Sequence, residues 1–347
     1  MQASTAIPGT AGGNREYLSN DPAVVLEPQE TPFTSMVSKV SEISNMLVEK
    51  LSDRNRPPRL TGAPEGKAGG QSSNQLARRG RFGVYPHKSI DSWAVTREES
   101  ILAKRGGLAG VSDIADAERA KCELQVKRDR ESVNLSAQEC QDGQGGARDM
   151  LGRGALKWIQ ATAPTPTIDT NFLPPSNCIL AHGQGTGVVS GNLFSEDDFY
   201  TLGRSLATVS GVKKRYEVFG GFGVVATIDM MSRVIARSNV PVPAVEQFYT
   251  TNNRGVESTI TLMVNIYESS FFRAHVIPSV FVNLQSDGTG DPNSALLALI
   301  ETWEEDMIED IQEAETWTNA GGEGGHYQTS WALCCKSPRG NGKISNA

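Results

Sequence analysis

Histidine is scarce, cysteine follows no pattern, and no long apolar run occurs anywhere in the 347 residues. Each lack removes a class of function. The four histidines, His87, His182, His275 and His326, stand apart from any patterned Asp, Glu or Cys, so spacing offers neither a metal-ligand set nor a nucleophile–base pair. The five cysteines, Cys122, Cys140, Cys178, Cys334 and Cys335, are odd in number and contain no CxxC. The adjacent pair would alternate sides of any strand, and the set reads as reduced, small core residues rather than a disulfide framework. The charge-free stretch 170–195 holds Pro174, Pro175 and loop glycines instead of the ~20 apolar residues a bilayer requires. The opening MQASTAIPGTAGG lacks both a basic n-region and an apolar h-region, so no signal peptide is expected.

Phosphate-binding loops are missing as well. Gly183-Gln184-Gly185-Thr186-Gly187 has no following Lys-Ser/Thr and no strand–turn–helix context, and reads as an ordinary loop. Gly220-Gly221-Phe222-Gly223 lies between strand-like runs and reads as a bulge or hairpin turn. No catalytic, cofactor-binding or metal-binding residue is therefore expected. With 33 basic and 40 acidic side chains the net charge is -7, which gives the whole chain no electrostatic reason to bind nucleic acid tightly.

What is present is an uneven distribution of charge and order. Residues 1 to about 60 begin as a Gly/Thr/Asn-rich arm with one apolar patch, Phe33, Met36, Val37 and Val40, bounded by prolines. A patch with no local partner is expected to dock on another copy. From Arg54 to Arg105 eleven basic residues face four acidic ones, a balance of +7, around the flexible GAPEGKAGGQSSN. The alternation in RFGVYPHKSIDSWAVT makes this a basic two-stranded excursion with a mobile tip, 62–84 ordering only against a neighbour. A long helix is predicted from Ile114 to Gln138, with a thin apolar line of Ala115, Cys122, Val126, Val133 and Ala137. A second is predicted over Ala147–Ile159 and a third from Ser195 to Val209, capped by Ser195. KRYEVFGGFGVVATI, VESTITLMVNIY and FFRAHVIPSVFVNL read as strands, ETWEEDMIEDIQEAE as a helix with eight acids and no base, and HYQTSWALCC as a strand. The cluster Arg78-Arg79-Gly80-Arg81 with Phe82 and Tyr85 suits an acidic face of a neighbouring copy, with Glu304, Glu305, Glu309 and Asp310 as the leading acceptors. The competing placement is an inner surface against nucleic acid.

The order of these segments resembles the major capsid proteins of tailed bacteriophages, whose fold is named after phage Hong Kong ninety-seven. DPAVVLEPQETPFTSMVSKV (Asp21 to Val40), APEGKAG with Glu65-Gly66, ADAERAKCELQVKRDRESVNLSAQ and ARDMLGRGALKWI are similar, in order and spacing, to an SU10-like capsid family. NIYESSFFRAHVIPS and SPRGNGKI look like its later, looser motifs. The resemblance implies an α+β fold: an N-terminal arm over 1–61, an extended basic loop over 62–97, a peripheral lobe with a spine helix over 98–164, an axial lobe over 165–297, and an acidic helix with returning strands over 298–347. It implies a subunit that self-assembles as pentamers and hexamers into an icosahedral shell around double-stranded DNA. Cement, scaffolding and portal proteins are the further partners it implies, with no membrane and no cofactor, in a virion protein made in the host cytoplasm. The alternatives are another virion or tail structural protein, and a soluble enzyme or nucleic-acid-binding protein.

Overall fold

The structure is a computed structural model that describes residues 30–41, 43, 45–54, 60, 65, 78–98, 100–101, 114–161, 170–181, 193–237, 266–284, 290–319 and 322–345. In chain order its elements are α1 (Pro32–Met36), β1 (Ser38–Ser41), β2 (Val48–Arg54), β3 (Arg78–Val84), β4 (His87–Val95), α2 (Ile114–Asn134), α3 (Ala155–Trp158), β5 (Ile179–Ala181), α4 (Glu196–Ser210), β6 (Lys214–Gly220), α5 (Phe222–Arg237), β7 (Ile266–Glu268), β8 (Phe272–Pro278), β9 (Ala295–Ala298), β10 (Trp303–Asn319), β11 (Gly322–Cys335) and β12 (Gly342–Ser345). The strands form three sheets, ordered β1-β10-β11-β4, β5-β12-β9-β6-β8-β7 and β2-β3. Two compact units result. One holds the described residues of Ile90–Val126 and Ile311–Gln328, the other those of Glu30–Ser89, Lys127–Asp310 and Thr329–Ala347.

The smaller unit has its own core, in which Trp93, Val95, Ala115 and Cys122 are buried with Ile114 and Tyr327 packed against them. The indole N–H of Trp93 donates to Glu313 at 3.1 Å, and the Arg119 guanidinium sits 4.6 Å over the same ring.

The larger unit is built on the six-stranded sheet. Successive residues of β6 point to opposite faces: Tyr216 and Val218 join the core under α4 and α5, while Phe219 joins a second core with Phe33, Phe82, Trp158 and Trp303. The helix α4 starts on a capping box, Ser195 Oγ accepting from the Asp198 amide and Asp198 Oδ2 accepting from the Ser195 amide. It ends at Gly211, whose φ of 74° is the left-handed value that favours glycine. Here the sequence expectation and the structure agree within a residue.

Four expectations differ. ETWEEDMIEDIQEAE is not a helix but most of the 17-residue strand β10. Good helix formers dominate it, yet Trp303 to Met307 are buried without a break, and cations from other elements meet its acids. GVVATI is helical, because the chain turns at Gly220-Gly221 from β6 into α5; a Cβ on Gly221 would lie 2.3 Å from the Asp291 carbonyl oxygen. Ala147–Ile159 is helical only at Ala155–Trp158, the preceding chain being bridged instead at Gln141 and Leu151 and held close at Gly154, where a Cβ would meet the Ser136 carbonyl. Finally, the basic ribbon is not confined to 62–97: β3 pairs antiparallel with β2, Arg54 opposite Arg78 through Val48 opposite Val84, so the hairpin starts before residue 62.

Candidate functional site

Since the sequence offers no patterned catalytic set, the groups of interest are those that fix or expose surfaces. The first is a buried ionic cluster along the start of β10. Glu304, Glu305 and Asp306 are consecutive and all buried. Lys50 of β2 reaches Glu304 Oε1 at 2.5 Å and Asp306 Oδ2 at 2.8 Å, and Lys336 takes the other oxygen of Glu304. Burial opposes the charge on Lys50, but its bonds to Asp306 and Glu304 hold it above the ordinary lysine value. Burial likewise works against Glu304 ionising, and the ammonium groups of Lys336 and Lys50 keep its carboxyl below the usual range. Lys50 thereby ties the hairpin base to β10.

Glu305 is served from α2. Arg130 binds both of its oxygens through Nε and Nη2 and reaches Asp310 Oδ1 at 3.1 Å, while Asn134 Nδ2 also donates to it. The neighbouring Glu131 accepts the amides of Phe33 at 2.9 Å and Thr34 at 2.8 Å, seating the first turn of α1. Burial pushes the Glu131 carboxyl up. These residues are reached by continuing the apolar line of α2: after Ala115, Cys122 and Val126, spacing of four brings Arg130 and then Asn134. That periodicity was the available signal; polarity hid it.

The predicted interface residues separate into two groups. Phe33 is fully buried among Phe219 at 5.2 Å and Trp303 at 5.9 Å, and Val37 joins the same core. Glu304 and Glu305 are consumed by internal cations. These four are corrected from surface to interior, because the arm and β10 find partners within the subunit. Met36, Val40 and Asp310 are exposed, and Glu309 is half-buried. Arg79 and Arg81 are exposed on β3 but already paired, with Asp53 and Glu49 of β2, each at 3.3 Å. Arg78 lies on β3 opposite Arg54. The tip of the loop, 66–77, the glycine run 183–187 and His182 lie outside the described residues.

His87 is packed 4.8 Å from the Trp331 ring and accepts the Gly152 amide at Nδ1, and burial lowers its pKa to about 4. The folded state thus resists a proton that the unfolded chain takes up near pH 6.5. Stability is complete above pH 6.5 and falls as the pH drops toward 4. Between pH 7 and 5 the loss is about 2 kcal/mol, measurable as a shift in urea midpoint, and His87→Gln should flatten this part of the profile. His275 meets Glu217 at 2.5 Å on the neighbouring strand. All five cysteines are buried and none is in a disulfide, and burial pushes Cys335 up to about 12. A cleft of about 730 Å³ beside the last turns of α4 is lined by hydroxyls, two arginines, Asp53 and Glu301, with no histidine or cysteine. Among the described residues no helix is long and apolar enough to cross a membrane, and no three His, Cys, Asp or Glu side chains group to hold a metal.

A sheet flanked by two helices, a two-stranded hairpin, a long charged helix and a long two-stranded ribbon together match solved viral shell subunits. The capsid asymmetric unit of cyanophage A-1(L) is similar with a TM-score of 0.61 and 12% identity, over 99% of each chain. The capsid of a native GTA particle is similar at 0.57 and 10%, over 100% of this chain and 99% of that one, and Mycobacterium phage Adephagia at 0.55 and 9%, over 96% and 95%. No curated protein matches the chain. The fold is that of a phage capsid subunit. Residues 10–347 match the model of the SU10 major capsid protein family, and the chain belongs to that family. It is a structural protein of the capsid shell.

Proposed function

We propose that this chain builds an icosahedral shell around double-stranded DNA, as pentamers and hexamers whose copies grip one another through the β2–β3 hairpin. The observation that carries the reading is that β2 and β3 form a two-stranded sheet of their own, joined by no third strand among the described residues and tied back by Lys50 to β10 and by Arg153 to the Gly83 carbonyl. The ribbon buries one face, Val48, Phe82 and Val84, in its own subunit, and its other face, still in water, gains from a second surface to lie on. Met36, Val40, Arg79, Arg81, Glu309 and Asp310 are the remaining candidates for contacts between copies. In this reading α2 is the spine of a peripheral lobe and the six-stranded sheet belongs to an axial lobe. Cement, scaffolding and portal proteins and the packaged DNA are further partners, the chain being made in the host cytoplasm and ending in the virion. Replacing the connection 55–77 by a two-residue Asn-Gly turn tests the role of the hairpin. Soluble, folded subunits that form no closed shell are the expected product, and shells of normal size and yield would refute it.

A further inference from the structure

The paired strands of the hairpin expose one large apolar side chain, Leu51, where charge would be expected, and the connection between them exposes a second, Leu60. Along β2 the outward positions alternate as Glu49, Leu51 and Asp53, and the register sets Leu51 opposite Arg81 and Asp53 opposite Arg79. Leu51 is 70% exposed. On either side of it an ion pair crosses the ladder, Arg81 to Glu49 and Arg79 to Asp53. The opposite face carries Lys50, Phe82 and Val84, of which Phe82 and Val84 are buried in the subunit's own core.

Two consequences follow. The charges of Arg79 and Arg81 are balanced within the hairpin, so this part of the outer face is close to neutral and has little excess charge to offer an acidic surface or DNA. At the same time an apolar anchor ringed by charged groups has the layout of an interface centre with its polar rim. We infer that the outer face of the β2–β3 hairpin docks on a second copy of this chain with Leu51 as its apolar anchor, while Arg79 and Arg81 serve as paired rim residues. The occupant is a copy of the same chain because the family builds its shell from this subunit. A neutral face also suits apolar patches such as Met36 and Val40, which the subunit leaves exposed. The inference rests on the shell-forming role proposed above and adds which residue of the hairpin does the binding and by what chemistry.

The test compares two variants of the full chain in assembly of empty shells, followed by light scattering and electron microscopy. Leu51→Ser removes the anchor and should raise the concentration needed for assembly about tenfold, since each shell repeats the contact many times. The paired change Arg81→Gln with Glu49→Gln removes one rim ion pair together with both of its charges, and should shift that concentration less than about threefold. Thermal unfolding of the Leu51→Ser subunit should match the parent, because the side chain is solvated there. Shells from Leu51→Ser at the parent concentration would overturn the anchor while leaving the shell-forming role intact. A larger effect from the ion-pair change than from Leu51→Ser would assign the contact to charge and overturn it as well. Failure of the parent chain to form shells would instead strike the shell-forming role itself.

Discussion

Phe33→Ala is expected to lower the unfolding free energy of the isolated subunit by about 3 to 5 kcal/mol, the range for emptying a well-packed aromatic site. Phe33 is fully buried, its ring meets Phe219 and Trp303 edge-on, and its amide is held by Glu131. Both the cavity and the loosened first turn of α1 count against the folded state. The measurement is urea unfolding of subunits kept below the assembly concentration. The sequence alone suggests the reverse, an arm patch whose truncation spares the subunit and harms only assembly. An unchanged unfolding midpoint with blocked assembly would restore that reading and contradict the packing described here.

Arg130→Met should be of similar size, about 3 to 5 kcal/mol, for a different reason. Arg130 and Glu305 are both buried, and Asp310 takes the remaining guanidinium edge. Removing the cation strands a carboxylate in the interior, with Glu131 close by on the same helix, and a buried charge without its partner costs far more than the pair is worth. The double variant Arg130→Met with Glu305→Met should therefore recover most of the loss. If the single variant loses less than about 1 kcal/mol, or the double variant is no better than the single, the ion pair is not what holds α2 to β10.

Both predictions lie where local sequence signals and tertiary structure part company. Local rules placed α4 within a residue because its start and stop are local chemistry, Ser195 with Asp198 at one end and Gly211 at the other. They also placed α2, which spans Ile114–Asn134. They misassigned β10, since Glu and Asp favour helices in isolation and nothing nearby in sequence shows that Lys50, Lys336 and Arg130 will meet them. The same gap explains Glu304 and Glu305: eight acids without a base look like a solvated face until distant cations are placed. GVVATI reads as a strand because Val, Thr and Ile prefer one, whereas the core takes Val224, Ile228 and Met231 at helical spacing, which only the fold reveals. The hairpin was legible as a ribbon, but its partner strand was not. β2 carries no net sign and its two apolar residues, Val48 and Leu51, are set among charged and polar ones.

The family-level role was readable from segment order and from the motif resemblance, whereas which side chains face outward required the fold. The direct measurement is cryo-electron microscopy of the particles formed by the expressed full-length chain. Closed shells are expected, with the outer face of each β2–β3 hairpin covered by an adjacent copy and Leu51 in the contact. A chain that stays at the size of a single subunit across salt and concentration series, folded and soluble, would contradict the account.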